Sequence, residues 1–190
     1  AGVIRIPEHA LPCITPTARE IAPTLLALAE PLSCCLRAHT RLPIESTSRV
    51  LVLGTGPIGL IHCALAAAAG ASVMACGRPS RLSPALAVGA SVATASQGES
   101  LVTEVLEWTQ GRGAHVVIIA VGDPGLVPIA AQCAAIGGHI SCFAGFPAGT
   151  SAHIDPNLIH YRELTVSGSA NATLDDYAAA VDTLSSGALD

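Results

Sequence analysis

Glycines 54, 56 and 59 stand in the order Gly-Thr-Gly-Pro-Ile-Gly. The G-x-G-x-x-G spacing has a physical use. Gly54 permits a tight turn, Gly56 lets a pyrophosphate approach the backbone, and Gly59 lets a following helix pack closely on its strand. The motif follows a β-branched and leucine run, Val50 to Leu53, and opens an alanine- and leucine-rich stretch, Leu60 to Ala69. It therefore occupies a strand-to-helix turn, where unpaired backbone N–H groups can hold an anion. Pro57 falls in the first helical turn, where its missing N–H costs nothing. A purely structural turn in a protein with another ligand has the same local pattern.

The end of the next strand-like run, Ser72 to Cys76, is where an Asp or Glu would accept hydrogen bonds from the adenosine ribose of NAD. No acid occurs between Glu45 and Glu99, and Gly77-Arg78-Pro79-Ser80-Arg81 occupies the position. A small residue and two guanidiniums suit a ribose phosphate, which favours NADP over NAD. Solvated surface arginines are the plainer alternative. All nine basic residues are Arg, and the chain has no lysine. This excludes Schiff-base chemistry, a Walker-type phosphate loop and a Tyr-x-x-x-Lys pair.

The elements that must position these residues follow from hydrophobic punctuation. Residues 50–77 lack any Asp, Glu, Lys or Arg, so a hydropathy window would flag a membrane span. Glycines at 54–59 and at 70 divide the stretch into strand, turn, helix, turn and strand, with strands apolar on both faces as a central parallel sheet requires. The alternation continues with strands at Ser91 to Thr94, His115 to Val121, His139 to Phe143 and Leu164 to Gly168. Helices are expected at Glu99 to Thr109, Gly125 to Ile136 and Leu174 to Ser185. Six strands with crossovers imply an α/β fold with a doubly wound parallel sheet, a Rossmann arrangement in the order 3-2-1-4-5-6. Residues 1–49 break the rhythm: VIRIP at 3–7 is strand-like, prolines follow, and an apolar helix is expected from about Glu20 to Thr40.

The chain has 190 residues, 51% of them hydrophobic, with 12% charged and a net charge of −5. The average charged fraction is roughly 25%. Nucleic acid and anionic membrane are unsuitable partners, since both need clustered basic charge. Seven cysteines, an odd number without any Cys-x-x-Cys pair, read as buried reduced thiols of a cytoplasmic protein. No targeting signal is evident, because Arg5, Glu8 and prolines interrupt the first residues. The opening at Ala1 reads as an excerpt of a longer protein.

Five ordered segments, EPL at 30–32, GTGPIG at 54–59, GRGAHVVIIAVG at 111–122, GGHISCFAG at 137–145 and DPNLIHYRELTVSGS at 155–169, resemble the zinc-dependent medium-chain alcohol and polyol dehydrogenases, nearest the sorbitol and threonine dehydrogenase group. The resemblance implies a cofactor-binding domain over 41–190, with 1–40 as the end of a catalytic domain and a connecting helix. It implies that Gly54, Gly56, Pro57, Ile58 and Gly59 hold the pyrophosphate of NADP or NAD, with Gly77, Arg78 and Arg81 at the ribose phosphate. Val121 and Gly122 would lie beside the cofactor's ribose, and Ala144, Gly145, Phe146, Ser169 and Ala170 would approach the nicotinamide. Glu30 of EPL would stand at a catalytic zinc, as a ligand or one water away; a surface or capping glutamate is the alternative.

The resemblance also marks gaps. The family's N-terminal Cys ligand, its Gly-His-Glu motif and its four-cysteine lobe have no counterpart here, and the histidines, His39, His62 and His115 among them, none paired with another His or Cys at ligand spacing, are expected to be satisfied structural residues. The implied reaction is hydride transfer between a secondary alcohol, such as a polyol, and nicotinamide, in a longer zinc enzyme, with this stretch inactive by itself. Two rivals stand beside it: a zinc-free NADPH-dependent quinone or enoyl reductase of the same superfamily, and a non-catalytic nucleotide-binding module. The edge strand 164–168 is expected to support a homodimer or homotetramer, and the apolar face of Leu25 to Leu36 to be exposed.

Overall fold

The computed structural model describes residues 4–17 and 20–189. Its centre is β1 (Arg49–Leu53), a run of Val and Leu whose last four residues are at most 1% exposed. On one side β1 pairs in parallel with β2 (Ser72–Cys76), which pairs with β3 (Val92–Thr94). On the other it pairs with β4 (Ala114–Ile119), followed by β5 (Ala134–Cys142) and β6 (Thr165–Gly168). All five pairings are parallel, in the order β3-β2-β1-β4-β5-β6, as the alternation of the sequence predicts.

Helices cover both faces. α3 (Pro57–Ala68) crosses from β1 to β2, α4 (Leu82–Ala87) from β2 to β3, α5 (Gly98–Trp108) from β3 to β4, and α6 (Leu126–Cys133) from β4 to β5. One core joins Leu51, Leu53, Val117 and Ile119 to α5 and α6, and the other joins Val50, Val52, Val116 and Ile118 to Cys63 and Ala66 of α3. Successive strand residues thus feed opposite cores, which is why these strands read as continuous apolar runs. Among the described residues no helix is long and apolar enough to cross a membrane.

Several expectations need correction. VIRIP forms no strand at Ile4 to Pro7, and Val3 lies outside the described residues. The single helix expected over 20–40 is instead α1 (Pro23–Leu26) and α2 (Ala29–His39). α6 stops at Cys133, because Ala134 is already paired with Ala114 of β4, and Ile136 projects at 72% exposure. A short helix, α7 (Pro156–Tyr161), precedes β6; Asp155 caps it by accepting from the backbone N–H of Asn157, with Pro156 at its first turn, a start signal present in the sequence. The thiols are all free, but only Cys35, Cys63 and Cys133 are fully buried and Cys13 is exposed.

The apolar face of α2 is not exposed. α8 (Leu174–Ser186), held at its start by a Thr173–Asp176 capping box, covers it, and Ala29 and Leu32 form one core with Ala180, Val181 and Leu184. Arg37 of α2 pairs with Asp176 at 3.3 Å on the rim. His39 Nε2 of α2 and His62 Nδ1 of α3 are 3.1 Å apart, one donating and one accepting. His62 is wholly buried and also meets the ring of Phe143 edge-on, with centroids 4.4 Å apart. Burial pushes His39 down to about 4, and burial with the His39 charge pushes His62 down to about 3.

Two outcomes follow from these contacts. A methyl group on Gly59 would overlap the carbonyl oxygen of Gly54, so Gly59→Ala should lower stability by about 2 kcal/mol or more in urea unfolding, since overpacking of this kind costs ~1–3 kcal/mol. Both histidines are neutral when folded and take up protons below about 6.5 when unfolded. Stability is therefore full above that pH and falls as pH drops toward 4, by about 2 kcal/mol per histidine between pH 7 and 5. Urea titrations at the two pH values check this, and His62→Gln should remove about half of the dependence.

Candidate functional site

The glycine turn follows directly from β1. Gly54 adopts φ +112°, a conformation that side chains resist, and its N–H donates to the Cys76 carbonyl at 2.8 Å. The turn thereby ties the end of β1 to the end of β2. Gly56 is the N-cap of α3 and supplies no side-chain cap, so the first N–H groups of the helix meet no side-chain acceptor from the cap residue and face the carboxyl edge of the sheet. A Cβ on Gly54 would lie 3.3 Å from the Ala120 carbonyl and from Val121 Cβ, which brings Val121, 42% exposed, against the turn.

The space beside Gly77 is filled by Thr55, whose Oγ1 a Cβ at Gly77 would overlap. The glycine is required by packing inside the turn. Arg78 and Arg81 are both exposed. A 3-10 turn at Pro79–Arg81 folds the chain back, with Arg81 N–H donating to the Arg78 carbonyl at 2.9 Å. Arg81 Nη1 then lies 3.5 Å from where a Cβ of Gly56 would stand.

From this turn the site continues along the strand ends. Gly122, after β4, passes so close to Gly145, after β5, that a Cβ would overlap the Gly145 carbonyl. Beyond it opens a cleft of about 740 Å³ between α2, the start of α3 and the ends of β5 and β6. Of the residues singled out in the sequence, Glu30, Ile58, Ala144, Gly145, Phe146, Ser169 and Ala170 line it together. Gly54, Gly56, Pro57 and Gly59 of the glycine turn, Gly77, the arginine pair, Val121 and Gly122 lie outside its lining.

The cleft also contains residues the sequence did not single out, among them Cys34, Arg41, Phe143 and Asn171. Glu30 and Cys34 are one helical turn apart on α2 and so share a face, a signal available from spacing alone. The Cys34 thiol donates to Glu30 Oε1 at 3.5 Å, and burial together with that carboxylate pushes its pKa up. Arg41 Nη1 donates to the Gly168 carbonyl at 3.4 Å. Asn171 holds φ +58° beside Ala170. Phe143 could not have been found from its own segment, because its neighbour His62 comes from α3.

Two tests of fit follow. Ser169 Oγ is buried in the cleft wall without a hydrogen-bond partner, an arrangement that calls for a polar group from a ligand. Together with the open glycine turn it fits a dinucleotide. A metal fits less well: among the described residues no three His, Cys, Asp or Glu side chains gather in one place, so Glu30 could supply one oxygen donor and the rest of a zinc shell would have to come from other residues.

Residues 57–186 match the model of the zinc-binding dehydrogenase family. L-threonine 3-dehydrogenase of Pyrococcus furiosus is 34% identical over 152 residues, which cover 79% of this chain and 43% of that one. A zinc-binding dehydrogenase of Sinorhizobium meliloti, solved with NADP bound, superposes with a TM-score of 0.80 at 30% identity over 90% of this chain and 52% of that one. The 2R,3R-butanediol dehydrogenase of Bacillus subtilis gives 0.76 at 30% identity, over 85% and 46%. The chain spans about half the length of these relatives. By its sequence match and its fold, the chain belongs to the zinc-binding dehydrogenase family.

Proposed function

We propose that this chain is the cofactor-binding part of an NADP-preferring alcohol or polyol dehydrogenase, with residues 1–40 as the end of a catalytic domain and its connecting helix. The observation that carries the reading is continuity: a glycine turn with Arg81 over it runs along the strand ends into a cleft that holds Glu30. The NADP in the Sinorhizobium relative and the alcohol substrates named for the other two support it.

Bound nicotinamide would supply the hydride acceptor, and zinc the polarisation that acidifies an alcohol. The chain's own part is binding and orientation. Gly54, Gly56, Pro57, Ile58 and Gly59 receive the pyrophosphate at the start of α3, and Val121 and Gly122 flank the adjoining ribose. Ala144, Gly145, Phe146, Ser169 and Ala170 meet the nicotinamide end, where Ser169 Oγ has a hydrogen bond to give or accept. Ile58, Phe143 and Phe146 make that end apolar and limit the entry of water. Glu30 stands where it can share a metal held chiefly by other residues. Without an acid after β2, nothing repels a 2′-phosphate beside Arg78 and Arg81.

Calorimetric titration of the chain with NADPH and with NADH tests the reading. NADPH should bind at least about tenfold more tightly, the scale of one charge-assisted contact, and Arg78→Ala/Arg81→Ala should erase the difference. Failure of both nucleotides to bind the folded chain would remove the proposal. The β6 edge, with Val166 41% exposed and Thr165 and Gly168 open, is proposed as the surface where a second copy adds. Sedimentation velocity should show dimers growing with concentration, and a monomer at all concentrations would refute this.

A further inference from the structure

We infer that His62 is a positioning residue for the nicotinamide end of the cleft: locked by His39, its ring holds Phe143 in place and so sets how tightly the nicotinamide half of the dinucleotide binds. The inference deepens the nucleotide reading above and rests on it. The outer torsion of a histidine side chain is broad, so an imidazole that orients a neighbour must itself be fixed. His62 is wholly buried, yet its Nε2 has no hydrogen-bond partner among the described residues. Its one polar hold is Nδ1, 3.1 Å from His39 Nε2. The two imidazole rings lie within 11° of parallel, so the plane of one fixes the plane of the other.

That plane is passed on to Phe143. The rings of His62 and Phe143 stand at 82° with centroids 4.4 Å apart, an edge-to-face arrangement favoured by the charge distribution of aromatic rings. An aliphatic side chain at 62 could fill the space without prescribing the angle. The backbone of Phe143 is pinned separately, its N–H donating to the Ile119 carbonyl at 3.2 Å. Phe143 packs against the core under α3 and also lines the cleft beside Ala144, Gly145 and Phe146, the residues assigned above to the nicotinamide end. Neither His39 nor His62 lines the cleft. Both therefore act on it through Phe143, along a chain of contacts that joins α2, α3 and the end of β5.

NADPH and 2′-phospho-ADP-ribose isolate the contribution of the nicotinamide, since the second is the same dinucleotide without that ring. Both are titrated calorimetrically into the full chain and into His39→Leu, His39→Gln, Phe143→Ala and the double variant His39→Leu/Phe143→Ala. His39→Leu removes the hold on His62 and should weaken NADPH about fivefold, the scale of one hydrogen bond or aromatic contact. It should leave 2′-phospho-ADP-ribose within about twofold, which also reports that the variant is folded. His39→Gln, whose amide can take the place of the imidazole Nε2, should restore most of the NADPH affinity. In the Phe143→Ala background His39→Leu should change NADPH affinity by less than about twofold, because the group through which it acts is gone. Equal loss of both ligands, a loss that persists undiminished without Phe143, or no loss at all would overturn the inference while nucleotide binding stands. If the wild-type chain binds NADPH no better than 2′-phospho-ADP-ribose, the cleft gains nothing from the nicotinamide and the inference is likewise wrong. If it binds neither ligand, the nucleotide reading itself fails and the inference falls with it.

Discussion

Gly59 lies so close to the Gly54 carbonyl that no side chain can stand between them, and that approach seats α3 on β1. Much of the site depends on it. With α3 pressed onto the strand, the turn between them must be short, Gly54 must take its positive φ, and the first N–H groups of α3 open at the carboxyl edge of the sheet. The neighbouring turns are held by approaches of the same kind. Thr55 fills the space beside Gly77 after β2, and Gly145 closes on Gly122 after β4. Adjacent strands of a sheet lie only about 4.8 Å apart, so loops leaving neighbouring strands on one edge either diverge or pack without side chains. Here they pack, and the result is one continuous surface from the arginine turn to the cleft.

The cleft itself is a product of helix packing. α2 brings Glu30 and Cys34, and α8 keeps α2 in place through Ala180, Val181 and Leu184. α3 contacts α2 through the His39–His62 pair, and His62 in turn supports Phe143 at the end of β5. A polar pair in an apolar setting is tolerated because each ring nitrogen at the contact is satisfied by the other. His62 Nε2 has no such partner, so the arrangement carries a cost that the surrounding packing offsets. The same contacts that stabilise α2 therefore shape the wall of the cleft.

The two ends of the site differ in electrostatic character. The arginine turn is basic and exposed, with no carboxylate in the sequence from 46 to 98, which suits a phosphorylated group that keeps part of its hydration. The cleft is largely apolar, and its polar groups are few: Glu30, Cys34, Arg41, Ser169 and Asn171. Charges and hydrogen bonds act more strongly in such surroundings than in water, so the few groups present there govern orientation.

The sequence by itself determined the sheet. Strands apolar on both faces, separated by glycine turns and helical stretches, leave a parallel α/β arrangement as the natural solution, and right-handed crossovers then set the strand order. It also identified the glycine turn, because a G-x-G-x-x-G between strand and helix is a local pattern with a local cause. Tertiary structure alone decided what meets across distance. His39 and His62 are 23 residues apart and only packing of α2 on α3 pairs them. The burial of α2 under α8, the extended path of Ala134 beside Ala114, and the return of Arg81 over Gly56 were illegible for the same reason. Hydrophobic periodicity reports which face of an element is buried, but not which element buries it, and a side chain's chemistry depends on that neighbour.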